Sequence, residues 1–281
     1  MRITVSLLLF LALSHQAMSQ NFKIQRIPQS IQEEMFLKGT IAEDAPVGID
    51  RLRLISVPYL DFQGKSKKGQ LIVLDVLASA VGAIFVELYE KRFPIAKMEL
   101  ITVYGGDDDA SMADNNTSAH NYRKVAGSAR LSLHAYGTAI DINPVQNPYI
   151  LLEKGSNQAT YLPPNSIQYA NRLTERLGKP YQRGFAEDVV DIFAKHGYYW
   201  WGGYWDTPID YQHFQLDRDV SYVLANMPAN EAHWFFQLLK EHFNEFDQPL
   251  ERLLQSKVET SLLERYQNDS ENFKEWVESN Y

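Results

Sequence analysis

The sequence predicts an α+β fold, in which a small, mainly antiparallel sheet has helices packed on its other face and a helical extension follows. Two apolar runs, 52–60 and 71–78, flank the turn-like segment 64–69, and this arrangement is typical of a β-hairpin. Residues 79–92 then repeat apolar side chains at helical spacing. Residues 219–281 read as further helices, with two apolar faces. Their members are Phe235, Leu238, Leu239, Phe243 and Phe246 on one face, and Leu253, Leu254, Val258, Leu262 and Tyr266 on the other.

The middle of the chain predicts several short elements. Apolar runs at 100–104 and 138–142 indicate two strands, and a polar, Gly- and Asp-rich segment at 105–120 indicates a long loop. A loop of that length in a compact domain is often functional. Residues 166–178 and 187–196 fit two helices, and Gly178 and Gly197 stand where helices commonly end.

The N-terminus predicts export. One positive charge at Arg2 precedes an apolar stretch at 3–13, and Ala17-Met18-Ser19 places small residues where signal peptidase requires them. We therefore expect cleavage between Ser19 and Gln20, and a periplasmic or secreted product. The apolar stretch is too short to span a bilayer, which needs about 20 residues, so we expect no membrane span after cleavage.

Charge and composition restrict the partners. The formal net charge is -8, and residues 219–281 hold 12 Asp or Glu against 5 Lys or Arg. A nucleic-acid-binding protein carries a basic face instead, so we expect no nucleic-acid partner. The chain contains no cysteine, which excludes disulfides and thiolate metal ligands. The oligomeric state is not indicated by the sequence.

Two separated motifs hold the residues best suited to chemistry. The first runs Ser132-Leu133-His134-Ala135-Tyr136-Gly137-Thr138-Ala139-Ile140-Asp141, and the second is Asp210-Tyr211-Gln212-His213, preceded by Trp201-Gly202-Gly203-Tyr204-Trp205. A hydrolytic zinc site needs three protein ligands and one open position for water, and His and Asp are suitable ligands. Strand alternation turns Asp141 away from its two Ile neighbours. His134, Asp141 and His213 are therefore the predicted ligands of one Zn²⁺ ion.

The two motifs together resemble the D-alanyl-D-alanine carboxypeptidase family of zinc peptidases. The resemblance lies in the pattern Ser-x-His-x-x-Gly-x-Ala-x-Asp of the first motif and in the acid three residues before the later His. This family includes vancomycin-resistance dipeptidases and phage L-alanyl-D-glutamate endopeptidases, and it shares its fold with the hedgehog signalling domain. The Trp-Gly-Gly-x-Trp run resembles the endopeptidase-like branch. The resemblance covers roughly residues 95–216. One departure is visible, since Gln215 stands where family members often carry Glu.

The resemblance implies roles for the remaining site residues. Asp210 would take a proton from the metal-bound water and pass it to the leaving amine. Arg123 would contact the substrate, because a guanidinium fork suits a carboxylate or carbonyl oxygen, and Arg130 is an alternative for that contact. Ser132 would bind near the metal or the substrate, or alternatively brace the turn.

The resemblance also implies the function and the domain organisation. We expect a zinc metallopeptidase that hydrolyses peptidoglycan stem peptides as a D-alanyl-D-alanine carboxypeptidase does, with L-alanyl-D-glutamate endopeptidase activity as the alternative within the family. The expected organisation is a signal peptide at 1–19, a lead-in at 20–50, the zinc peptidase domain at 51–218 and the helical extension at 219–281.

Two alternatives come from other classes of protein. Two His and one carboxylate also form the iron site of non-haem oxygenases, but there the first His and the acid are typically separated by a single residue, whereas six intervene here. A non-catalytic, zinc-containing cell-wall binding protein is the second alternative. The acid at Asp210 argues against it, because a pure binding protein needs no base.

Overall fold

The computed structural model describes residues 23–152, 155 and 158–242, except for the side chains at 238, 241 and 242. The predicted signal peptide at 1–19 and the apolar positions predicted beyond 242 lie outside the described residues. The chain divides into two compact units, residues 1–236 and 237–281. All the strands described below belong to the first unit.

The described residues form nine strands and six α-helices. The strands are β1 (Lys23–Arg26), β2 (Leu52–Leu60), β3 (Ser66–Leu74), β4 (Ala139–Asp141), β5 (Tyr149–Leu152), β6 (Ala159–Leu162), β7 (Trp200–Trp201), β8 (Ile209–Asp210) and β9 (His213–Gln215). The helices are Gln29–Leu37, Ala78–Glu90, Asp108–Ala113, Val190–Lys195, Arg218–Asn226 and Ala229–His242. None of these helices is both long enough and apolar enough to cross a membrane.

The predicted hairpin forms the first sheet, in which β1, β2 and β3 are antiparallel neighbours. β2 has the predicted bounds, whereas β3 begins earlier than expected, at Ser66, and ends earlier, at Leu74, because Asp75–Leu77 form a 3₁₀ helix. The turn is shorter because the Asp61 side chain accepts hydrogen bonds from the backbone N–H groups of Gln63 and Lys65. The helix Ala78–Glu90 packs on β2 and buries Val81, Ile84, Phe85 and Leu88, among others, so this sheet and helix form the apolar core.

Two further antiparallel sheets lie later in the chain. One has the strand order β4-β9-β7 and the other has the order β6-β5-β8. The predicted α+β class is therefore confirmed, with three small antiparallel sheets rather than one. The predicted strand at 138–142 is present as β4, and it pairs with β9, which begins at His213. This pairing brings the two predicted motifs together.

The predicted strand at 100–104 is wrong, because residues Ile101–Tyr104 form a 3₁₀ helix. Gly105 follows it with a φ of 65° and donates its N–H to Thr102 O, while the next N–H, of Gly106, goes to Ile101 O. A left-handed glycine closes a helical turn in this way and is unsuited to a continuing strand. The predicted loop at 105–120 begins here, and it also contains the helix Asp108–Ala113.

The predicted α-helix at 166–178 is also wrong. Only Pro164–Tyr169 is helical in this region, as a 3₁₀ helix. The apolar side chains of the predicted helix remain on the surface, with Leu173 64% and Leu177 106% exposed. Most helical stability in proteins comes from packing of an apolar face, so without burial the spacing alone does not maintain a helix.

The later helices follow the predictions more closely. The helix Val190–Lys195 lies inside the predicted segment 187–196, and Gly197 follows it with a φ of 99°. The helices Arg218–Asn226 and Ala229–His242 occupy the first part of the predicted extension. The proposed boundaries at 20, 51 and 219 stay predictions.

Candidate metal centre

His134 lies on a 3₁₀ turn, Leu133–Tyr136, that is fixed at both ends. The Ser132 hydroxyl oxygen accepts a hydrogen bond from the His134 N–H at 3.3 Å. Gly137 ends the turn with a φ of 67°, and a Cβ at this position would lie 2.6 Å from the backbone nitrogen of Leu74 in β3. Glycine is therefore required by both the backbone conformation and the close approach of the first sheet. The motif spacing His-x-x-Gly reflects this turn.

Asp141 and His213 are direct cross-strand partners in β4 and β9. Directly opposed residues of an antiparallel pair project to the same face, which explains how motifs separated by 72 positions form one site. Ile140 and Phe214, the next pair along these strands, are both fully buried. The apolar residues thus hold the strands in the interior, and the ligand pair stands on the other face.

The three predicted ligands converge. Asp141 Oδ1 lies 2.8 Å from His213 Nδ1, and Asp141 Oδ2 lies 3.1 Å from His134 Nε2. The two ring nitrogens are 3.3 Å apart. These atoms lie within 4.8 Å of one another, and all three residues are buried. Two imidazole nitrogens and a carboxylate oxygen at this spacing form a group that could hold a metal ion.

Each imidazole donates a hydrogen bond from the N–H of its other ring nitrogen to a fixed acceptor. His134 Nδ1 hydrogen-bonds to the carbonyl oxygen of Ala119, and His213 Nε2 lies 2.8 Å from Gln215 Oε1. Such outer contacts select the tautomer and orient the ring, leaving the inner nitrogen with a lone pair for a metal. Gln215, which departs from the Glu common in similar proteins, therefore still makes the contact to His213, through an amide oxygen.

Burial and proximity shift the ionisation of these groups in opposite directions. Burial acts to lower the pKa of His213, but the hydrogen bond and charge of Asp141 outweigh it and raise that pKa to about 9. Burial acts to raise the pKa of Asp141, but the charges and hydrogen bonds of His134 and His213 hold it well below its usual range. The carboxylate is therefore ionised, as a metal ligand must be.

Asp210 ends the short strand β8 and pairs with Tyr149 of β5. It is 9% exposed, and its Oδ1 atom has no hydrogen-bond partner among the described residues. Burial raises its pKa to about 7 and the charge of Asp141 adds to this, while His213 and Arg123 act to lower it. A carboxyl group with this pKa exchanges a proton readily near neutral pH.

The Trp-Gly-Gly run packs directly on Asp210. A Cβ at Gly202 would lie 2.8 Å from the Asp210 Cβ, and one at Gly203 would overlap the indole ring of Trp201. Trp201 is buried and donates its indole N–H to Tyr211 O at 2.8 Å. Close packing against Asp210 therefore explains Gly202, and close packing against Trp201 explains Gly203.

The aromatic residues around this run divide into two groups. Tyr198 and Trp201 are core residues, whereas Trp200 is 49% and Tyr204 69% exposed. Trp205 is half-buried, and its ring centroid lies 5.5 Å from that of His213. Trp205 therefore forms part of the wall beside the predicted ligands.

Arg123 and Arg130, the two candidates for substrate contact, have different surroundings. Arg123 O accepts a hydrogen bond from the Ser132 N–H at 3.0 Å, which joins its backbone to the turn that carries His134. Its guanidinium acts on the pKa of Asp210. Arg130 is exposed and lies in the loop that joins the bridged residues Lys124 and Leu131. The surroundings favour Arg123.

Sequence reasoning missed one residue beside Arg123. Asp108 Oδ2 lies 2.8 Å from Arg123 Nη2 in a salt bridge whose side chains are only about a quarter exposed. Burial raises the pKa of Asp108 and Arg123 opposes this, and the charges of Asp141 and His134 also act on it. The available signal was the run Asp107-Asp108-Asp109 inside a long polar loop. The run alone did not show which carboxylate faces the site.

The fold and geometry define an α+β domain with a buried site that could hold a metal ion through two histidines and one aspartate. Residues 126–216 match the model of a family described as D-alanyl-D-alanine carboxypeptidase, a family of zinc peptidases. The predicted resemblance is confirmed over this stretch, which contains both motifs but neither Asp108 nor Arg123. No curated protein matches the chain. No solved structure matches it either.

Proposed function

We propose that this protein is an exported, zinc-dependent peptidase that hydrolyses a peptide bond in the stem peptides of bacterial peptidoglycan. The observation that carries the proposal is the convergence of His134 Nε2, the Asp141 carboxylate and His213 Nδ1 on one buried position. The match of residues 126–216 to a carboxypeptidase family supports the type of reaction and the class of substrate.

The donor set suits zinc better than the alternatives. Two neutral imidazoles and one carboxylate leave an open coordination position, as catalytic zinc sites have. Both ring orientations are fixed by outer acceptors, Ala119 O and Gln215 Oε1. When bound, zinc would lower the pKa of a coordinated water to about 7 and polarise the scissile carbonyl group. A non-haem iron site uses the same donor types. Its motif requires a single residue between the first His and the acid, and this chain lacks that spacing.

Asp210 supplies the proton transfer in this proposal. Its unpaired oxygen would accept a proton from the attacking water and donate it to the amine nitrogen as the C–N bond breaks. A buried carboxyl group with a pKa of about 7 is suited to both steps, because neither protonation state is strongly favoured near neutral pH. The non-catalytic alternative offers no role for such a group.

Two bonds fit the family resemblance. A D-alanyl-D-alanine carboxypeptidase removes the terminal residue of the stem, and an L-alanyl-D-glutamate endopeptidase cuts near its start. Export, through the predicted cleavage of residues 1–19, would bring the enzyme to either bond. The carboxypeptidase-like reaction is the proposal, and the endopeptidase reaction is its alternative.

The decisive experiment compares metal-depleted and zinc-loaded protein on defined muropeptides, with the products identified by mass spectrometry. We expect Asp210→Asn to retain zinc and lose about 10³-fold in kcat, within the range by which general bases accelerate reactions. Asp206→Asn is the matched control, because Asp206 is an exposed acid in the same segment, and it should keep full activity. Hydrolysis that persists without zinc, or an unaffected Asp210→Asn variant, contradicts the proposal.

A further inference from the structure

We infer that Asp108 is a specificity-determining residue that cancels the charge of Arg123. As a result, the site accepts stem peptides with an amidated or peptide-extended end as readily as those with a free carboxylate beside the cleaved bond. The inference rests on the proposed function and names the substrate class of the same site. It concerns the part of the site that precedes the matched stretch 126–216.

The contact geometry shows which donors remain for a substrate. Arg123 Nη2 lies 2.8 Å from Asp108 Oδ2, and Nη1 makes only a long contact, 3.5 Å, to Lys124 O. Arg123 Nε is buried and has no hydrogen-bond partner among the described residues. One arm of the fork is thus held by Asp108 and Nε is covered by the protein, whereas the exposed Nη1 has a donor available. A single N–H donor satisfies a carbonyl oxygen as well as it satisfies a carboxylate oxygen.

The charges around Arg123 argue against ion-pair recognition. The salt bridge at 2.8 Å between Asp108 and Arg123 leaves this pair without net charge. The charge of Asp141 also acts on Asp108. A free carboxylate that meets a guanidinium whose charge is already paired gains little over a neutral amide. An unpaired arginine would instead favour the carboxylate strongly.

The position of Asp108 makes its role specific. It occupies the first turn of the helix Asp108–Ala113, whose N-terminus is capped by the side chain of Asp107. Asp109 follows on the same helix but is exposed. Replacing Asp109 changes the net charge by the same amount without removing the salt bridge to Arg123. The two neighbours therefore form a matched pair of variants.

The test uses two pairs of synthetic stem peptides with the zinc-loaded full-length protein. One pair ends in D-Ala-D-Ala as the free acid or the amide, and the other carries the D-Glu next to L-Ala with a free or amidated α-carboxyl group. For the pair that is cleaved, we expect the native protein to show kcat/KM values for acid and amide within about threefold of each other. Asp108→Asn should shift this ratio about tenfold toward the acid, as removal of a nearby like charge does, whereas Asp109→Asn should leave it unchanged.

A double variant separates this role from a merely structural one. Adding Arg123→Ala to Asp108→Asn should abolish the shift in the ratio, because the shift requires the unpaired guanidinium. A native preference for the acid above tenfold, or an unchanged ratio in Asp108→Asn, overturns the inference while leaving the peptidase proposal intact. Failure to cleave any of the four peptides overturns the proposed function and the inference with it.

Discussion

The two sheets joined at Gly137 bury side chains of opposite kinds. In the first sheet, β2 and the helix Ala78–Glu90 enclose aliphatic and aromatic groups, such as Ile55 and Phe85. In the sheet β4-β9-β7, an equally buried face presents Asp141 and His213. Burial of apolar groups is favourable by itself, whereas buried charges need partners. The first sheet therefore depends mainly on packing, whereas the Asp141–His213 face of the second depends on its hydrogen bonds and, in our proposal, on zinc.

The largest effect is expected from removing the shared carboxylate. Asp141→Ala should weaken zinc binding about 10²–10³-fold, since about 10–16 kcal/mol of binding distributed over four ligands gives roughly 2.5–4 kcal/mol for each. Metal content after dialysis against a competing chelator measures this effect. Asp191→Ala, at an exposed acid, is the control. Zinc affinity within threefold of the native value would remove Asp141 from the ligand set.

A matched change in the helix that packs on the first sheet should lower the stability of the fold and leave the metal site unaltered. Phe85→Ala removes a fully buried ring from the helix Ala78–Glu90 and should reduce the free energy of unfolding by about 3–5 kcal/mol. Urea denaturation provides the measurement. Zinc affinity of the folded variant should remain native, and a large loss of affinity would show that the two sheets are not independent.

A smaller effect is expected at the outer contact of His213. Gln215→Leu removes the acceptor of the Nε2 hydrogen bond and should reduce zinc affinity about 10–100-fold, as comparable losses do in other zinc sites. Gln215→Glu should restore the contact and bind zinc at least as tightly as the native protein. Chelator competition distinguishes the two variants. Equal affinities in both would mean that the hydrogen bond does not orient the ring.

The smallest change is expected for a shift of a single pH unit. The pKa of His213 is raised to about 9 without metal, so zinc must displace a proton below that pH. Zinc affinity should therefore rise about tenfold per pH unit between pH 6.5 and 9. The free energy of unfolding of the metal-free protein should show the opposite trend and decrease with pH. The stabilisation from protonated His213 is complete below the unfolded pKa of about 6.5 and is lost as the pH rises through the folded pKa of about 9. Calorimetry in buffers of different ionisation enthalpy counts the released proton, and release of none at pH 7 would contradict this account.

The same comparison explains which elements could be predicted. Strand β2 and the helix Ala78–Glu90 were predicted closely, because their apolar residues recur at the spacing of the structure that buries them, whereas β3 shares only its residues 71–74 with the predicted strand. The segments 100–104 and 166–178 also contain apolar residues, but Val103 and Leu177 are exposed. Periodicity indicates which face is available for burial, and only the rest of the fold determines whether something covers it.

For the candidate site, the sequence by itself predicted the metal ligands His134, Asp141 and His213, because their spacing reflects one turn and two strand segments, and the resemblance to a family added the acid Asp210. Only the tertiary structure determined that Asp141 and His213 are cross-strand partners and that Gln215 accepts from His213. It also determined that Asp108 pairs with Arg123. The reason is physical: local spacing fixes where a side chain lies on its own element, whereas pairing between elements depends on how distant segments pack together.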